Sequence, residues 1–226
     1  MEFETWEPVY EAVLAAFGYD RAADERARDL LRSLLDGPGY DPTELGVAGR
    51  TVAVAGGAAG LLDDLDGVRA ADAVFATSDA AARLDERGVA VDCVVTDLDG
   101  SPDTVRDLAA RGTPVAVHAH GDNIPALRAV VPDLPAGMVM PTTQARPVGV
   151  THNPGGFTDG DRAAFLADAL EARGLTFPGW AFDDPSVDPV KQRKLAWAER
   201  LLYWLERRRG DRFEVLDGRR AGLSAP

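Results

Sequence analysis

Lysine is almost missing from this 226-residue chain: Lys191 and Lys194 are the only two, against 22 arginines. Cysteine occurs once, as Cys93, so no internal disulfide can form, and its place in an apolar run marks it as a small buried hydrophobe. No apolar stretch approaches the ~20 residues needed to span a bilayer. The acidic opening, MEFETWEPVY, lacks the basic-then-apolar layout of a signal peptide. These absences predict a cytoplasmic protein without membrane association. Positive charge is also short. With 37 acids against 24 bases the formal charge is −13, which argues against nucleic acid as a partner, because neutralising phosphates needs a basic surface. The acids are 26 Asp and 11 Glu, an Asp-heavy, Lys-poor balance like that of proteins from salt-loving organisms, in which salt screens self-repulsion. A GC-rich genome would also favour Arg and Ala, and the two readings are compatible.

What is present is an α/β pattern. Residues 1–45 read as a helical N-terminal segment: Trp6, Val9, Val13 and Phe17 recur at helical spacing, and after a plausible N-cap at Asp20 so do Ala23, Ala27, Leu30, Leu31 and Leu34. "DGPGYDP" breaks this pattern, and residues 46–226 read as a single α/β domain. Short apolar runs at 51–55, 73–76, 91–96, 114–118, 137–140 and 148–151 alternate with segments long enough for crossover helices. Continuous apolar strands separated by helices predict a mostly parallel, Rossmann-like sheet covered on both faces. A last helix is expected over about 189–209, and "RFEVLDG" reads as a possible terminal strand.

In such sheets ligands bind beyond the carboxyl ends of the strands, and polar residues cluster there in this chain. The first strand runs into Gly56, Gly57 and Gly60, a turn that suits either a phosphate cradle or simple tightness. The third ends on Asp97-Leu98-Asp99, carboxylates that can share Mg²⁺ or divide between capping and solvent. The fourth ends "VHAHGDN", with His118 and His120 in register beside Asp122 and Asn123. Zn²⁺ is disfavoured there, since neither a further thiol nor clustered histidines accompany the pair. Thr142, Thr143 and Gln144 follow the fifth strand. Next comes "THNPGGFTDGDRA", in which Thr158, Asp159 and Asp161 suit a helix start, whereas Gly155, Gly156 and Arg162 suit close approach to, and pairing with, a phosphate. The two lysines open the last helix, three residues apart, as point-charge phosphate contacts or as a solvated face.

"DLDG", "HAHGDN", "TTQ", "NPGGFTDGDRA" and "DPVKQRKL", in that order, resemble the archaeal 6-hydroxymethyl-7,8-dihydropterin pyrophosphokinase family, which is related to the catalytic domain of thiamine pyrophosphokinases. The resemblance spans roughly residues 50–205, although "AGGAAG" departs from the family's usual glycine loop. It implies transfer of the terminal diphosphate of ATP to the hydroxymethyl group of a reduced pterin, releasing AMP, in the biosynthesis of folate or methanopterin. Mg²⁺ would be held by Asp97 and Asp99 with Asp159 or Asp161. Arg162, Lys191 and Lys194 would meet phosphates, and His118, His120 or Asp122 would take the alcohol's proton. Asp122 or Asn123 would pair with the pterin edge. The glycines at 56, 57, 60, 155 and 156, the polar residues 142–144 and Thr158 complete the expected ligand contacts. Expected partners are these small molecules, with a homodimer as the candidate assembly. Competing readings are a thiamine pyrophosphokinase, a phosphatase of the haloacid dehalogenase type suggested by "DLDG" and "GDN", and a nucleotide- or sugar-phosphate-binding module. The phosphatase suffers because Gly121 follows Asp99 by only 22 positions and no lysine lies between them.

Overall fold

The computed structural model describes residues 1–226. Six strands form one all-parallel sheet in the order β5-β4-β3-β2-β1-β6: β1 (Thr51–Ala55), β2 (Ala73–Thr77), β3 (Cys93–Thr96), β4 (Val115–Ala119), β5 (Val139–Thr143) and β6 (Gly174–Thr176). The expected α/β class is therefore observed. Side chains alternate between two apolar layers, as the period of two dictates. Val52, Val54, Phe75, Cys93, Val95 and Met140 face one layer, and Ala53, Val74, Ala76, Val94, Val115 and Val117 face the other. Both faces are dry, which explains why the strands read as unbroken apolar runs.

The helical N-terminal segment is shared between the two layers. Helix α1 (Phe3–Phe17) sets Trp6, Val9, Tyr10 and Val13 into the first, alongside α7 (Asp159–Ala169) and α8 (Pro189–Arg209). Helix α2 (Arg21–Leu34), capped by Asp20 accepting from the Ala22 N–H, sets Ala27 and Leu31 into the second. That second layer is completed by α3 (Leu65–Ala70), α4 (Ser78–Asp85), α5 (Pro102–Ala110) and α6 (Ile124–Val130).

One buried carboxylate ties this segment to the sheet. Asp24, 2 % exposed, accepts from the Tyr10 hydroxyl, the Gln144 side-chain amide and the Gly121 N–H, each at 2.8 Å. Gly121 allows the approach: a Cβ there would lie 2.6 Å from that of Ala23.

Two sequence expectations are corrected. Residues 148–151 are a turn, not a strand: Gly149 has φ +64°, Val148 is exposed, and the Thr151 hydroxyl folds back on Val148. The sixth strand is instead Gly174–Thr176, which pairs with β1 at its outer edge and is too short to announce itself. "RFEVLDG" contains a 3₁₀ turn at Glu214–Leu216 and no strand, because the Phe213 N–H is taken by Glu206 and not by a neighbouring strand.

Asp24→Leu leaves three buried donors without an acceptor and should cost roughly 3–5 kcal/mol, at about 1–3 kcal/mol for each such group with partial relaxation. Urea denaturation of the variant and its parent measures this, and a loss below about 1 kcal/mol would contradict a hub at Asp24.

Candidate active site

The carboxyl ends of β1 to β5 open into a cleft of about 240 Å³. Its floor is built strand by strand: Gly56 and Gly57 after β1, Thr77-Ser78-Asp79 after β2, Asp97 and Asp99 after β3, His120 after β4, and Gln144 after β5. The first turn of α7 contributes Thr158, Asp159 and Arg162, and α8 contributes Lys191, Lys194 and Leu195. Aromatic walls come from Tyr19, Phe157 and Trp180.

Asp97, Asp99 and Asp159 offer carboxylate oxygens that all lie within 4.8 Å of one another. The turn between the first two is strained: Leu98 sits at φ +70°, a left-handed conformation costing a side-chain-bearing residue about 1–2 kcal/mol. It is held there by burial of its side chain and by its N–H bonding Thr96 Oγ1 at 2.8 Å. Arg162 answers the negative charge, with Nη1 at 3.0 Å from Asp159 and 3.8 Å from Asp97. Burial pushes the Asp97 carboxyl upward, but the His120 hydrogen bond and the Arg162 charge outweigh it and hold Asp97 well below the ordinary carboxylate range. Burial and the neighbouring Asp97 charge raise Asp99 to about 6, against the pull of both lysines. Burial, followed by the Asp97 charge, raises Asp159 well above its usual value. An all-oxygen set of this kind could hold a hard divalent metal ion.

The other expected residues divide. Asp161 is fully buried and makes the α7 capping box, accepting from the Phe157 N–H at 2.5 Å and the Thr158 N–H at 2.9 Å, and from the Thr158 hydroxyl; it stands apart from the three converging acids. Asn123 is buried as a clamp: its amide donates to the carbonyls of Asp97 and His118 at 2.8 and 2.7 Å and accepts from the His120 N–H at 3.0 Å. Thr142, Thr143 and His118 are buried beneath the floor, and Asp122 is exposed outside the cleft. Gly60 lies outside too, and a Cβ on Gly56 would strike the Gly179 carbonyl at 2.6 Å, so Gly56 serves close packing of the 178–180 turn. Gly155 and Gly156 have φ +100° and +94°, and a Cβ on Gly156 would sit 2.6 Å from Arg162 Cα, so this pair wraps the start of α7.

His120 is the one histidine in the cleft. Its Nδ1 accepts the Asp122 N–H at 3.4 Å, which leaves the ring proton on Nε2, facing Asp97 Oδ2 at 3.3 Å. This contact orients Asp97.

Thr77-Ser78-Asp79 lie outside the residues expected of the site, although "VFATSD" is another apolar run ending in polar residues. Trp180 carried no such signal, as its place depends on the indole N–H reaching the Val54 carbonyl, 126 residues away, at 2.8 Å.

Converging carboxylates at the edge of a parallel sheet, faced by an arginine and two lysines, define a site suited to cation-assisted chemistry on polyphosphates. No protein-family model matches the chain. It is, however, 38 % identical over 232 residues to the 6-hydroxymethyl-7,8-dihydropterin pyrophosphokinase of Methanothermobacter thermautotrophicus, covering 95 % of this chain and 99 % of that protein. Proteins of the same name from Pyrococcus furiosus and Methanocaldococcus jannaschii are 37 % and 27 % identical, covering 91 % and 95 % of this chain and 95 % and 98 % of their own lengths. The chain belongs to the 6-hydroxymethyl-7,8-dihydropterin pyrophosphokinase family.

Two outcomes are expected of the acid cluster. Mg²⁺ should raise the melting temperature of the parent protein and not that of Asp97→Asn. In metal-free buffer the raised value of Asp99 means that the folded protein holds a proton the unfolded chain has released. Its contribution to stability is therefore complete below the ordinary 3.8 and lost as pH rises through about 6. Asp99→Asn should thus gain on the parent between about pH 4 and pH 7. Parallel pH–stability curves for the two proteins would contradict the repulsion described.

Proposed function

We propose that this protein transfers the terminal diphosphate of ATP to the hydroxymethyl oxygen of 6-hydroxymethyl-7,8-dihydropterin and releases AMP. A bond forms between that oxygen and the β-phosphorus, the bond from the β-phosphorus to the α-phosphate oxygen breaks, and AMP leaves with the electron pair. The observation that carries this reading is the meeting of three carboxylates, one buried arginine and the chain's only two lysines around one cleft.

Asp97, Asp99 and Asp159 would hold Mg²⁺, which, when bound, supplies charge neutralisation across the phosphates. His120 keeps Asp97 aimed and charged. Arg162 presents a buried guanidinium edge to charge developing on the β-phosphate, while Lys191 and Lys194, neither of them in a salt bridge within the protein, draw the polyphosphate under α8. A loose transition state asks little of a base, so the alcohol's proton can pass to water in the cleft. Planar substrates suit the cleft's aromatic walls. ATP and a reduced pterin as substrates suit the cytoplasm, and the Asp-rich, Lys-poor composition suits a salt-loaded one.

The direct test is AMP formation from ATP and Mg²⁺ with and without the pterin, with thiamine in parallel. Pterin-dependent AMP is expected. Thiamine-dependent AMP would replace the acceptor, and ADP or free phosphate would overturn the transfer. Lys191→Ala and Lys194→Ala should each lower kcat/KM about tenfold or more, the loss expected for a charged contact of roughly 1.5–3 kcal/mol. Asp97→Asn should abolish turnover with the fold retained by circular dichroism.

A further inference from the structure

Two buried side-chain atoms beside the cleft, His118 Nε2 and Arg162 Nε, have no hydrogen-bond partner in the protein. Both residues border a second, small cavity of about 10 Å³, lined also by Val95, Ala116, Thr142 and Leu166 among others. Arg162 alone borders both this cavity and the cleft. A buried guanidinium donor with no acceptor is costly, and more so than a neutral one. A cavity of about 10–15 Å³ by the same measure admits one water, provided polar partners line it.

The donors and acceptors around it are matched. Thr142 Oγ1 has one proton, which it gives to the Val117 carbonyl at 3.1 Å, so toward His118 Nδ1, also at 3.1 Å, it acts as acceptor. The network therefore assigns the His118 proton to Nδ1 and leaves Nε2 as a lone-pair acceptor. Burial, followed by the Arg162 charge, holds His118 well below its usual value, in agreement with a neutral ring. Arg162 Nε–H can only donate. A water accepting from one and donating to the other satisfies both atoms.

We propose that this cavity holds one ordered water linking Arg162 Nε to His118 Nε2, which makes His118 and Thr142 positioning residues for the guanidinium. The guanidinium is planar, so fixing Nε at the back and Nη1 against Asp159 at the front sets the plane that Arg162 offers the cleft. The positioning role rests on the reading of Arg162 as a phosphate-facing cation; the water itself does not.

A crystal structure of the parent protein at a resolution that shows ordered solvent should reveal one water within hydrogen-bond reach of both atoms. The ¹⁵N spectrum should show His118 with a protonated Nδ1 and a bare Nε2. An empty cavity, or the Gln144 amide closing directly on His118 Nε2, would overturn the water whatever the enzyme's substrate proves to be. In the diphosphate-transfer assay His118→Phe should lower kcat about tenfold with a much smaller change in KM for ATP, the loss expected when a buried charged donor loses its acceptor. His118→Gln, whose amide reaches the Nε2 position, should recover most of it. Thr142→Val, which frees the tautomer, should fall between them. An unchanged kcat in well-folded His118→Phe, or a failure of His118→Gln to rescue, would overturn the positioning role with the water still in place. Absence of diphosphate transfer in the parent would count against the functional reading and leave the structural and spectroscopic results to decide the water.

Discussion

Mutual repulsion among Asp97, Asp99 and Asp159 is the constraint around which the rest of this structure is arranged. Three carboxylates within 4.8 Å oppose one another strongly in a half-buried cleft, where effective dielectric is far below that of water. The chain gives them partial relief only. Arg162 bonds Asp159 and approaches Asp97, His120 donates to Asp97, and the remaining imbalance appears as the raised values of Asp99 and Asp159. A site left short of positive charge in this way favours whatever brings more of it. A divalent cation would do so, and the two lysines of α8, neither of them in a salt bridge, would add to the attraction for phosphates in the proposed reaction.

Holding the acids together takes a stiff frame, and the structure supplies one at each point of attachment. Asn123 pins the end of β3 to that of β4 through two backbone carbonyls. Asp161 accepts three hydrogen bonds at the start of α7, fixing Asp159 two residues before and Arg162 one residue after. Asp24 locks Gln144 and the β4–α6 turn onto the N-terminal helices. That last link explains why the helical segment is integral to the domain: without α1 and α2, the loops after β4 and β5 lose the buried acceptor that orders them. Asn123, Asp161 and Asp24 serve here as register pins, each with several partners, and a version stripped of those partners would be worse than an apolar core.

Legibility in the sequence follows how local each feature is. Helix α8 was readable to its ends because Asp188, Pro189 and Gly210 punctuate a long periodic stretch. Strands β1 to β4 were readable as apolar runs. Asp97 and Asp99 were readable as a pair because only one residue separates them. By contrast, β6 is three residues long and exists through its pairing with β1, so no local pattern marks it. The two histidines look equivalent in "HAH", yet strand β4 ends between them: His118 stays in the sheet and is buried, while His120 leaves it and meets Asp97. The same limit separates Asp159 from Asp161. Both lie in the first turn of one helix, and only the capping box decides that one faces the acids and the other the backbone.

The division of labour between arginine and lysine follows from the same chemistry. Arginine's planar fork forms fixed, multidentate contacts, and the chain spends its arginines that way: Arg219 joins Asp183 to Glu199, Arg220 joins Glu206 to Asp217, and Arg83 binds three successive carbonyls of the loop after β1. On an acidic surface such contacts convert repulsion into cross-links between elements. A substrate polyphosphate has different needs, since it must enter, react and leave. In the proposed reading, lysine's point charge on a flexible stem would hold it without fixing a geometry, and release of product would cost less than breaking a bidentate pair. Both lysines line the cleft from α8 and the single buried arginine stands at the acids, an arrangement that suits the proposed separation of capture from alignment.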